Sequence, residues 1–312
     1  MILAVTMNPS VDISYPIDGF KLDDVNRVGP VRKTAGGKGL NVARVISQME
    51  EEVLATGALG GTIGDYIVKE LNKSNIRNDF LKINQESRNC IAILHEGMQT
   101  EILESGPTLS KEEGTAFLEK FASLLAEVSL VTISGSLPKG LRTDFYQQML
   151  EISHEKGIPV ILDSSGESLK QALLHVEKPF AIKPNTAELS QLLGIEVEDK
   201  IGSLKAACDN DLFNGIEWIV VSMGGEGAFV KHGGDYYRTT IPKIDLINPV
   251  GSGDATVAGL AVALNKNQDV EAVLKTAMTT GMLNAMEAGT GFINFSKFDH
   301  YFDLIKVSKL DC

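Results

Sequence analysis

A glycine-rich turn that carries one carboxylate stands in the last third of the chain. It reads Pro249-Val250-Gly251-Ser252-Gly253-Asp254 and leads into a helix-like run over residues 255–264. Free N–H groups at a helix N-terminus bind anionic oxygen, and glycines let the backbone approach a bulky phosphate. An aspartate in the same turn could take a proton from a nearby hydroxyl. By itself, the turn fits tight packing and phosphoryl transfer to an alcohol equally well.

A second glycine cluster, Ala35-Gly36-Gly37-Lys38-Gly39, precedes Asn41 in the first turn of another predicted helix. Its glycines allow close backbone approach, Lys38 supplies a cation, and Asn41 supplies an amide. A Walker A loop is excluded, because Leu40 stands where a magnesium-binding hydroxyl is required. The cluster alone could also be a helix-starting turn with a solvated lysine.

Composition narrows the class of protein. The 312 residues are 43% hydrophobic and 22% charged, which predicts one large α/β domain or two smaller ones. The net charge of −12 argues against nucleic-acid binding. Cys90, Cys208 and Cys312 are too widely spaced for a metal site and are expected to be free thiols in a reducing cytosol. We expect neither a signal peptide nor a membrane span, and therefore a cytoplasmic protein.

Apolar strand-like runs alternate with helix-like segments over most of the chain. The predicted strands span residues 2–7, 53–58, 130–134, 159–162, 181–183 and 218–222. The predicted helices span residues 40–49, 111–125, 143–156, 255–264 and 270–288. Continuous Val/Ile runs between helices predict a mostly parallel sheet with both faces covered, that is, a three-layer α/β fold. Ligands in such folds bind beyond the carboxyl ends of the strands.

Other segments alternate apolar and polar residues, which is typical of strands with one solvated face. They cover residues 11–15, 25–28 and 91–95, and residues 95–99 resemble a hairpin connection into residues 100–103. We therefore predict a small β lid made of residues 10–32 and 87–104. The core domain then comprises residues 1–9, 33–86 and 105–312.

Together, the two glycine clusters resemble the paired signatures of the carbohydrate kinases related to ribokinase and the minor phosphofructokinases. Four further motifs share this resemblance: Thr6-Met7-Asn8-Pro9-x-x-Asp12, Val25-Asn26-Arg27, Ser134-Gly135-Ser136-Leu137-Pro138 and Lys183-Pro184-Asn185-x-x-Glu188. The resemblance spans nearly the whole chain. It implies a ribokinase-like three-layer sandwich with a β-sheet lid, and a sugar kinase that uses ATP and Mg²⁺.

The resemblance also implies a role for each matching residue. Asp254 is expected to be the base rather than a helix N-cap, with Gly251, Ser252 and Gly253 as the anion hole. The expected substrate-binding residues are Asp12, Arg27, Gly36, Gly37, Lys38, Asn41, Arg88 and Ser136. The expected nucleotide-binding residues are Lys183, Asn185, Ser222, Gly224, Gly227 and Asn284. Asn185 and Glu188 are expected to organise magnesium through water, although a helix cap and an ordinary helix glutamate would explain them too.

The implied reaction is phosphorylation of a ketohexose phosphate, with D-tagatose 6-phosphate converted to the 1,6-bisphosphate. A 1-phosphofructokinase or a minor 6-phosphofructokinase is the alternative, because one sequence does not show the stereochemistry of the acceptor. A non-catalytic sugar-phosphate-binding regulator is the alternative from another class, and the intact set of Asp254, Lys38, Asn185 and Glu188 argues against it. Since lids commonly pair in this family, we also expect a homodimer.

Overall fold

The computed structural model describes residues 1–311 and contains fifteen strands and ten α-helices within them. Cys312, the third predicted free thiol, lies outside the described residues. The strands are β1 Ile2–Thr6, β2 Ser10–Pro16, β3 Arg32–Gly36, β4 Val53–Gly60, β5 Arg77–Asn78, β6 Leu81–Ile83, β7 Arg88–His95, β8 Met98–Leu103, β9 Leu130–Ser134, β10 Val160–Asp163, β11 Ala181–Ile182, β12 Trp218–Ser222, β13 Ala228–His232, β14 Asp235–Thr240 and β15 Lys306–Leu310. The helices are α1 Lys38–Gln48, α2 Gly61–Lys73, α3 Lys111–Leu124, α4 Phe145–Glu155, α5 Gly166–Leu174, α6 Thr186–Leu193, α7 Ile201–Cys208, α8 Ser252–Asn265, α9 Val270–Ala285 and α10 Phe298–Leu304.

The large sheet has the strand order β15-β14-β13-β12-β11-β10-β9-β1-β4-β5, and β6 pairs with β4. The strands from β12 to β5 run parallel, and β13, β14 and β15 add an antiparallel edge. From β1 the chain builds the sheet towards β4 and β5, and then returns to β9 on the other side. The strand order thus reverses between β1 and β9, which is where open α/β sheets bind ligands.

Helices cover both faces of this sheet. One core cluster joins alternate strand residues to α1, α8 and α9, with members such as Ala4, Leu40 and Val257. The other joins the opposite strand face to α3 and α4, with members such as Val5, Phe117 and Tyr146. Helix α8 is buried from Asp254 to Ala263 because it lies between the sheet and α9. The predicted three-layer α/β fold is confirmed.

A separate four-stranded sheet has the order β3-β2-β7-β8. Because side chains alternate along a strand, one face carries Asp12 and Thr34, which line a cavity shared with the large sheet. The opposite face carries Val11 and Ala35, which belong to the main core, and α2 packs against β2 and β3 there. The outer strand β8 is exposed along its whole length.

The predicted strand at residues 25–28 is wrong. This segment is an exposed loop, in which Asn26 bonds to the backbone of Lys21 rather than to a neighbouring strand. The fourth strand of the small sheet is β3, so the predicted domain boundary after residue 32 falls inside a strand. Within residues 1–311, no helix combines the length and the apolar character that a bilayer span requires.

Candidate active site

A row of polar residues ends the central parallel strands on the face covered by α1 and α8. Thr6 ends β1, Ser134 ends β9 and pairs in register with Asp163 at the end of β10, and Lys183 follows β11. Ile2 and Ala4, four and two residues before Thr6, belong to the core on that same face. The four polar residues Thr6, Ser134, Asp163 and Lys183 line a cavity of about 1080 Å³. The inner face of the small sheet and the first turns of α1 and α8 complete its walls. The cavity can hold two small-molecule ligands.

The turn before α8 places a carboxyl group inside this cavity. Gly251 is the N-cap with a left-handed φ of 84°, and a Cβ there would lie 2.5 Å from Cγ2 of Thr290. Only glycine fits such a position without strain. Asp254 is therefore the third residue of α8 and not its N-cap, and its carboxyl Oδ2 accepts a hydrogen bond of 2.9 Å from Nδ2 of Asn41.

The surroundings of Asp254 bring the pKa of its carboxyl close to neutral pH. Burial raises the pKa of its carboxyl to about 7, and the charge of Asp163 adds to this rise. Lys38, the bond from Asn41 and Lys183 oppose it. A carboxyl group with such a pKa is substantially ionised at pH 7 yet still basic enough to accept a proton.

The three predicted anion-hole residues differ in whether their surroundings leave them available to an anion. The N–H of Ser252 donates to the carbonyl of Pro249 at 3.2 Å, so it is engaged within the turn. Gly253 lies beside a cation, since a Cβ on it would be 3.2 Å from Nζ of Lys183. All three residues, Gly251, Ser252 and Gly253, line the cavity.

Asp163 joins the two lysines of the site, although none of the family motifs contains it. Its Oδ2 lies 3.4 Å from Nζ of Lys38, and its Oδ1 lies 3.6 Å from Nζ of Lys183. The carboxyl is 3% exposed, and its charge raises the pKa of Lys38. The position of Asp163 at the carboxyl end of a buried strand is the sequence signal that could have identified it.

The small sheet supplies a second carboxyl group. Asp12 on β2 accepts a bond of 2.7 Å from the hydroxyl of Ser10, and burial raises the pKa of Asp12. Gly36 is paired opposite Ser10 and does not line the cavity, but a Cβ on it would lie 2.0 Å from Cγ of Asp12. Gly36 therefore makes room for Asp12. Gly37, Lys38, Asn41 and Ser136, which the sequence predicts to bind substrate, line the cavity.

The two arginines expected to hold a phosphate differ in position. Arg88 lines the cavity, and its guanidinium donates to the carbonyls of Asn8 at 2.9 and 3.2 Å and of Glu104 at 2.9 Å. It therefore also ties the small sheet to the strand end of the core. Arg27 is exposed in the loop after β2 and is not part of the cavity lining.

Asn185 and Glu188 form a reciprocal capping box at the start of α6. The Glu188 N–H donates to Oδ1 of Asn185 at 2.8 Å, and the Asn185 N–H donates to Oε2 of Glu188 at 2.9 Å. Both residues also line the cavity, as do Ser222, Gly224 and Gly227 beyond β12. The helix-capping role and a ligand role are thus compatible in this pair.

Asn284 supports the turn before α8 and does not line the cavity. Its side chain on α9 donates to the Val250 carbonyl at 3.0 Å and accepts from the Gly291 N–H at 2.8 Å. The residue is completely buried. Its bonds support the loop that precedes α8, and the contact of Asn284 with a nucleotide stays a prediction.

Comparison with known proteins identifies the family. The model of the pfkB family of carbohydrate kinases matches residues 5–296. The chain is 55% identical over 307 residues to the tagatose-6-phosphate kinase of Staphylococcus epidermidis, covering 98% of this chain and 99% of that one. Phosphofructokinase-2 of Escherichia coli, solved with potassium, aligns with a TM-score of 0.90 at 25% identity over 97% of this chain and 98% of that one. The same enzyme solved with substrates and products gives a TM-score of 0.88 at 25% identity over the same shares. With its mostly parallel sheet and separate small sheet, this chain belongs to the pfkB family of carbohydrate kinases and is a sugar kinase.

Proposed function

We propose that this kinase transfers the γ-phosphoryl group of ATP to the C1 hydroxyl of D-tagatose 6-phosphate. The products are D-tagatose 1,6-bisphosphate and ADP. The name of the relative that is 55% identical supports the substrate. The observation that carries the reaction is the position of Asp254, a buried carboxyl with a pKa of about 7, in a cavity-lining glycine turn beside Lys38 and Lys183.

The proposed transfer step follows from these contacts. Ionised Asp254 accepts the proton of the C1 hydroxyl while the C1 oxygen bonds to the γ-phosphorus, and the bond from that phosphorus to the β–γ bridging oxygen breaks. Lys183 and the N–H groups of Gly251 and Gly253 stabilise the charge on the transferred group. Asp163 keeps Lys183 aligned, because it is held by both lysines.

The small sheet and the first turn of α1 are proposed to hold the sugar phosphate. Asp12 and Asn41 suit sugar hydroxyls, since a carboxylate accepts and an amide both donates and accepts. Lys38, Arg88 and Ser136 line the cavity, and we assign them to the phosphate that the sugar already carries. Arg27 can join them only if residues 25–28 fold over the cavity when the ligand binds.

The remaining edge of the cavity is proposed to bind MgATP, with Lys183, Asn185, Ser222, Gly224 and Gly227 at the nucleotide. Within residues 1–311, no group of three or more His, Cys, Asp or Glu side chains could hold a metal ion. A magnesium ion that arrives on the phosphates needs no such cage, and Glu188 and Asn185 can bind its water ligands. Magnesium there would neutralise charge on the β- and γ-phosphate oxygens.

A homodimer formed through the small sheets, in a cytoplasmic protein, completes the proposal. The edge strand β8 exposes Met98, Ile102 and Leu103, and an uncovered apolar edge favours association. Sedimentation of the wild type and of Ile102→Glu tests this point. A dimer in the first and a monomer in the second are expected, and a wild type that sediments as a monomer contradicts it.

A substrate panel tests the acceptor. We expect the highest kcat/KM with tagatose 6-phosphate, compared with fructose 6-phosphate and fructose 1-phosphate. A clear preference for either fructose phosphate would assign the chain to the corresponding phosphofructokinase activity. Lack of turnover with every acceptor would favour a binding regulator instead.

Asp254→Asn tests the base. Loss of a general base lowers kcat by about 10²- to 10⁴-fold, whereas ATP affinity should change little. Asp235→Asn, an exposed carboxyl on β14, is the control and should keep wild-type kcat. Near-normal turnover of Asp254→Asn would remove Asp254 from the mechanism.

A further inference from the structure

Arg44 is a buried cation that the reaction described above leaves without a role. It lies three residues after Asn41 on α1 and is 6% exposed. Its guanidinium stacks over Phe292, with Cζ 4.9 Å from the ring centroid, and burial lowers the pKa of Arg44 to about 10. It therefore remains charged at neutral pH. An unpaired buried charge is very unfavourable, so the hydrogen-bond partners of Arg44 indicate its role.

All the acceptors of Arg44 belong to the framework of the active site. Nη1 donates to Oδ1 of Asn41 at 3.0 Å and to the Thr290 carbonyl at 3.2 Å, and Nη2 donates to the Ala35 carbonyl. Ala35 precedes the Gly36-Gly37 turn, and the Thr290 side chain packs against Gly251. One guanidinium thus connects both glycine turns with the amide that contacts the base.

The bond from Arg44 determines which way the Asn41 amide faces. A guanidinium has only donors, so the amide must direct its oxygen to Arg44 and its nitrogen to Asp254. That nitrogen then donates to the Asp254 carboxyl at 2.9 Å. In the flipped orientation, the amide nitrogen would face a donor and the amide oxygen would face a carboxylate oxygen, which loses both bonds.

The backbone of Gly291 packs closely against this pair. A Cβ on Gly291 would lie 2.7 Å from Nη1 of Arg44 and 2.9 Å from Oδ1 of Asn41. Gly291 has a φ of 70° and also donates to Asn284. The chain therefore uses a glycine in the left-handed region to close over the pair.

We infer that Arg44 is a positioning residue of the kinase reaction: it locks the Asn41 amide in the one orientation that holds the Asp254 carboxylate for proton transfer. The inference rests on the proposed function, in which Asp254 is the base. Arg44 touches no substrate-facing surface, because it is absent from the cavity lining within residues 1–311. It acts through Asn41.

Loss of Arg44 should change the titration of Asp254. The charged groups that face this carboxyl are Lys38 and Arg44 from α1, Asp163 from β10, and Lys183 after β11. Removal of Arg44 takes away a cation and frees the Asn41 amide to turn its oxygen to the carboxylate. Both changes disfavour the ionised form, so the pKa of Asp254 rises and the acid limb of the kcat profile moves to higher pH.

The first experiment compares Arg44→Met and Arg44→Lys with Gln48→Met. Gln48 lies one turn further along α1 and ties it to the same loop, donating to Gly291 at 3.3 Å and accepting from Ile293 at 2.7 Å, but it makes no bond to Asn41. Arg44→Met should lower kcat at pH 7 by about 10- to 100-fold and shift the acid limb up by about 0.5 to 1 pH unit, with KM for ATP nearly unchanged. Arg44→Lys, which keeps the charge, should lose less.

Gln48→Met should lower the melting temperature but leave kcat and the acid limb at wild-type values. If Gln48→Met shifts the limb as Arg44→Met does, the effect belongs to the loop and the inference is wrong. A wild-type profile in Arg44→Met also overturns it. If turnover survives in Asp254→Asn, the proposed function fails instead, which keeps the two outcomes separate.

A double-mutant cycle tests whether Arg44 acts through Asn41. In an Asn41→Ala background, Arg44→Met should reduce kcat by less than about threefold, because the amide that it orients is gone. Independent, multiplying effects would contradict the inference. Should Arg44→Met fail to fold, Arg44→Lys in the same two backgrounds completes the cycle with the same readout.

Discussion

The first turns of α1 and α8 both follow a glycine with positive φ, but they present side chains of opposite charge. Each helix starts at a glycine with positive φ, 104° at Gly37 and 84° at Gly251, and within residues 1–311 no side chain caps either one. Helix α1 then presents Lys38 and Asn41, whereas α8 presents Asp254. Glycine caps keep the helix N–H groups available to a ligand. The side chains of the first turn then determine whether the ligand meets a cation and an amide or a carboxyl group.

The two turns depend on each other although they are distant in sequence. The bond between Asn41 and Asp254 joins residues 213 positions apart. The α1 turn supplies donors and the cation, and the α8 turn supplies the carboxyl group that we propose as the base. Neither glycine cluster therefore forms a site alone. For this reason the sequence of each cluster fitted a structural turn as well as a ligand site.

Alanine at the two N-cap glycines should separate their roles. In Gly251→Ala the new Cβ meets Thr290 at 2.5 Å, and the left-handed backbone adds about 1 to 3 kcal/mol of strain. We expect kcat to fall by about 100-fold or more, because the anion hole and Asp254 shift together. In Gly37→Ala the new Cβ meets Thr6 and Pro9 at 3.1 and 3.2 Å, and the φ of 104° adds backbone strain here too. This variant should mainly raise KM for the sugar phosphate, by about tenfold.

Gly202→Ala is the control for these variants, since nothing lies within 4 Å of the added Cβ in α7. It should leave kinetics unchanged and stabilise the protein by about 0.5 to 1 kcal/mol. Steady-state kinetics and thermal unfolding report both quantities. An equal loss of kcat in Gly37→Ala and Gly251→Ala would contradict the division of roles.

The buried carboxyl of α8 should cost stability at high pH. The pKa of Asp254 is raised from 3.8 to about 7, so the folded protein holds this proton more tightly than the unfolded chain does. Its contribution is complete below about pH 4 and is lost as pH rises through about 7. Asp254→Asn should therefore gain free energy of unfolding, relative to wild type, over that range, by at most on the order of 4 kcal/mol.

Urea unfolding of both proteins at pH 5 and pH 8 measures this gain. Asp235→Asn should show no such rise with pH, because the pKa of the exposed Asp235 is lowered by Lys309 rather than raised. A stability difference for Asp254→Asn that is the same at both pH values would mean that burial does not perturb this carboxyl.

Two neighbours of Asp254 should move its titration in opposite directions. The charge of Asp163 raises the pKa of Asp254, and the charge of Lys38 lowers it. The acid limb of kcat should therefore shift to lower pH in Asp163→Asn and to higher pH in Lys38→Met, each by about 0.5 to 1 unit. Asp79→Asn, which breaks an exposed pair with Lys120, should leave the limb in place. If the acid limb moves in the same direction in Asp163→Asn and Lys38→Met, these two charges do not act on Asp254 in opposite directions.

The fold could be predicted where strands are buried on both faces. The bounds of β9 and β12 agree with the prediction at residues 130–134 and 218–222, because continuous apolar runs are a strong signal there. The antiparallel edge strands β13 to β15 were not identified. Strand β15 carries Lys306 and Lys309 and is largely exposed, so its pattern does not differ from that of a loop. Residues 25–28 show the reverse error, since a short alternation without a pairing partner forms no strand.

The site could be predicted where a motif is local and not where partners converge from distant segments. Asp163 is held by lysines that are 125 positions before it and 20 positions after it, so no spacing marks it. Arg44 is held by Ala35, Asn41 and Thr290, and the sequence analysis did not identify it, because Thr290 lies 246 positions away. Asn284 was assigned to the nucleotide because sequence does not show which neighbour a buried amide faces.

Helices α3 and α6 start with a side-chain cap, unlike α1 and α8, and variants of their caps should have the smallest effects. Both α3 and α6 begin with a capping box, Ser110 with Glu113 and Asn185 with Glu188, but only the second lines the cavity. Glu113→Ala and Glu188→Ala should each cost about 1 kcal/mol of stability. The loss in Glu113→Ala should be slightly larger, because Glu113 also accepts from the Asn84 N–H at 2.9 Å. Only Glu188→Ala should raise the magnesium concentration needed for half-maximal activity.

Glu188→Gln separates the two functions of this side chain. A glutamine oxygen can still accept from the Asn185 N–H, so the cap and the stability should be kept, while the charge that attracts hydrated magnesium is lost. We expect a several-fold higher magnesium requirement with an unchanged melting temperature, measured by magnesium titration of activity at saturating ATP. If Glu188→Gln and the wild type titrate identically, Glu188 serves α6 alone, and an uncapped glycine turn rather than a capped helix start is what distinguishes the ligand-binding helices of this fold.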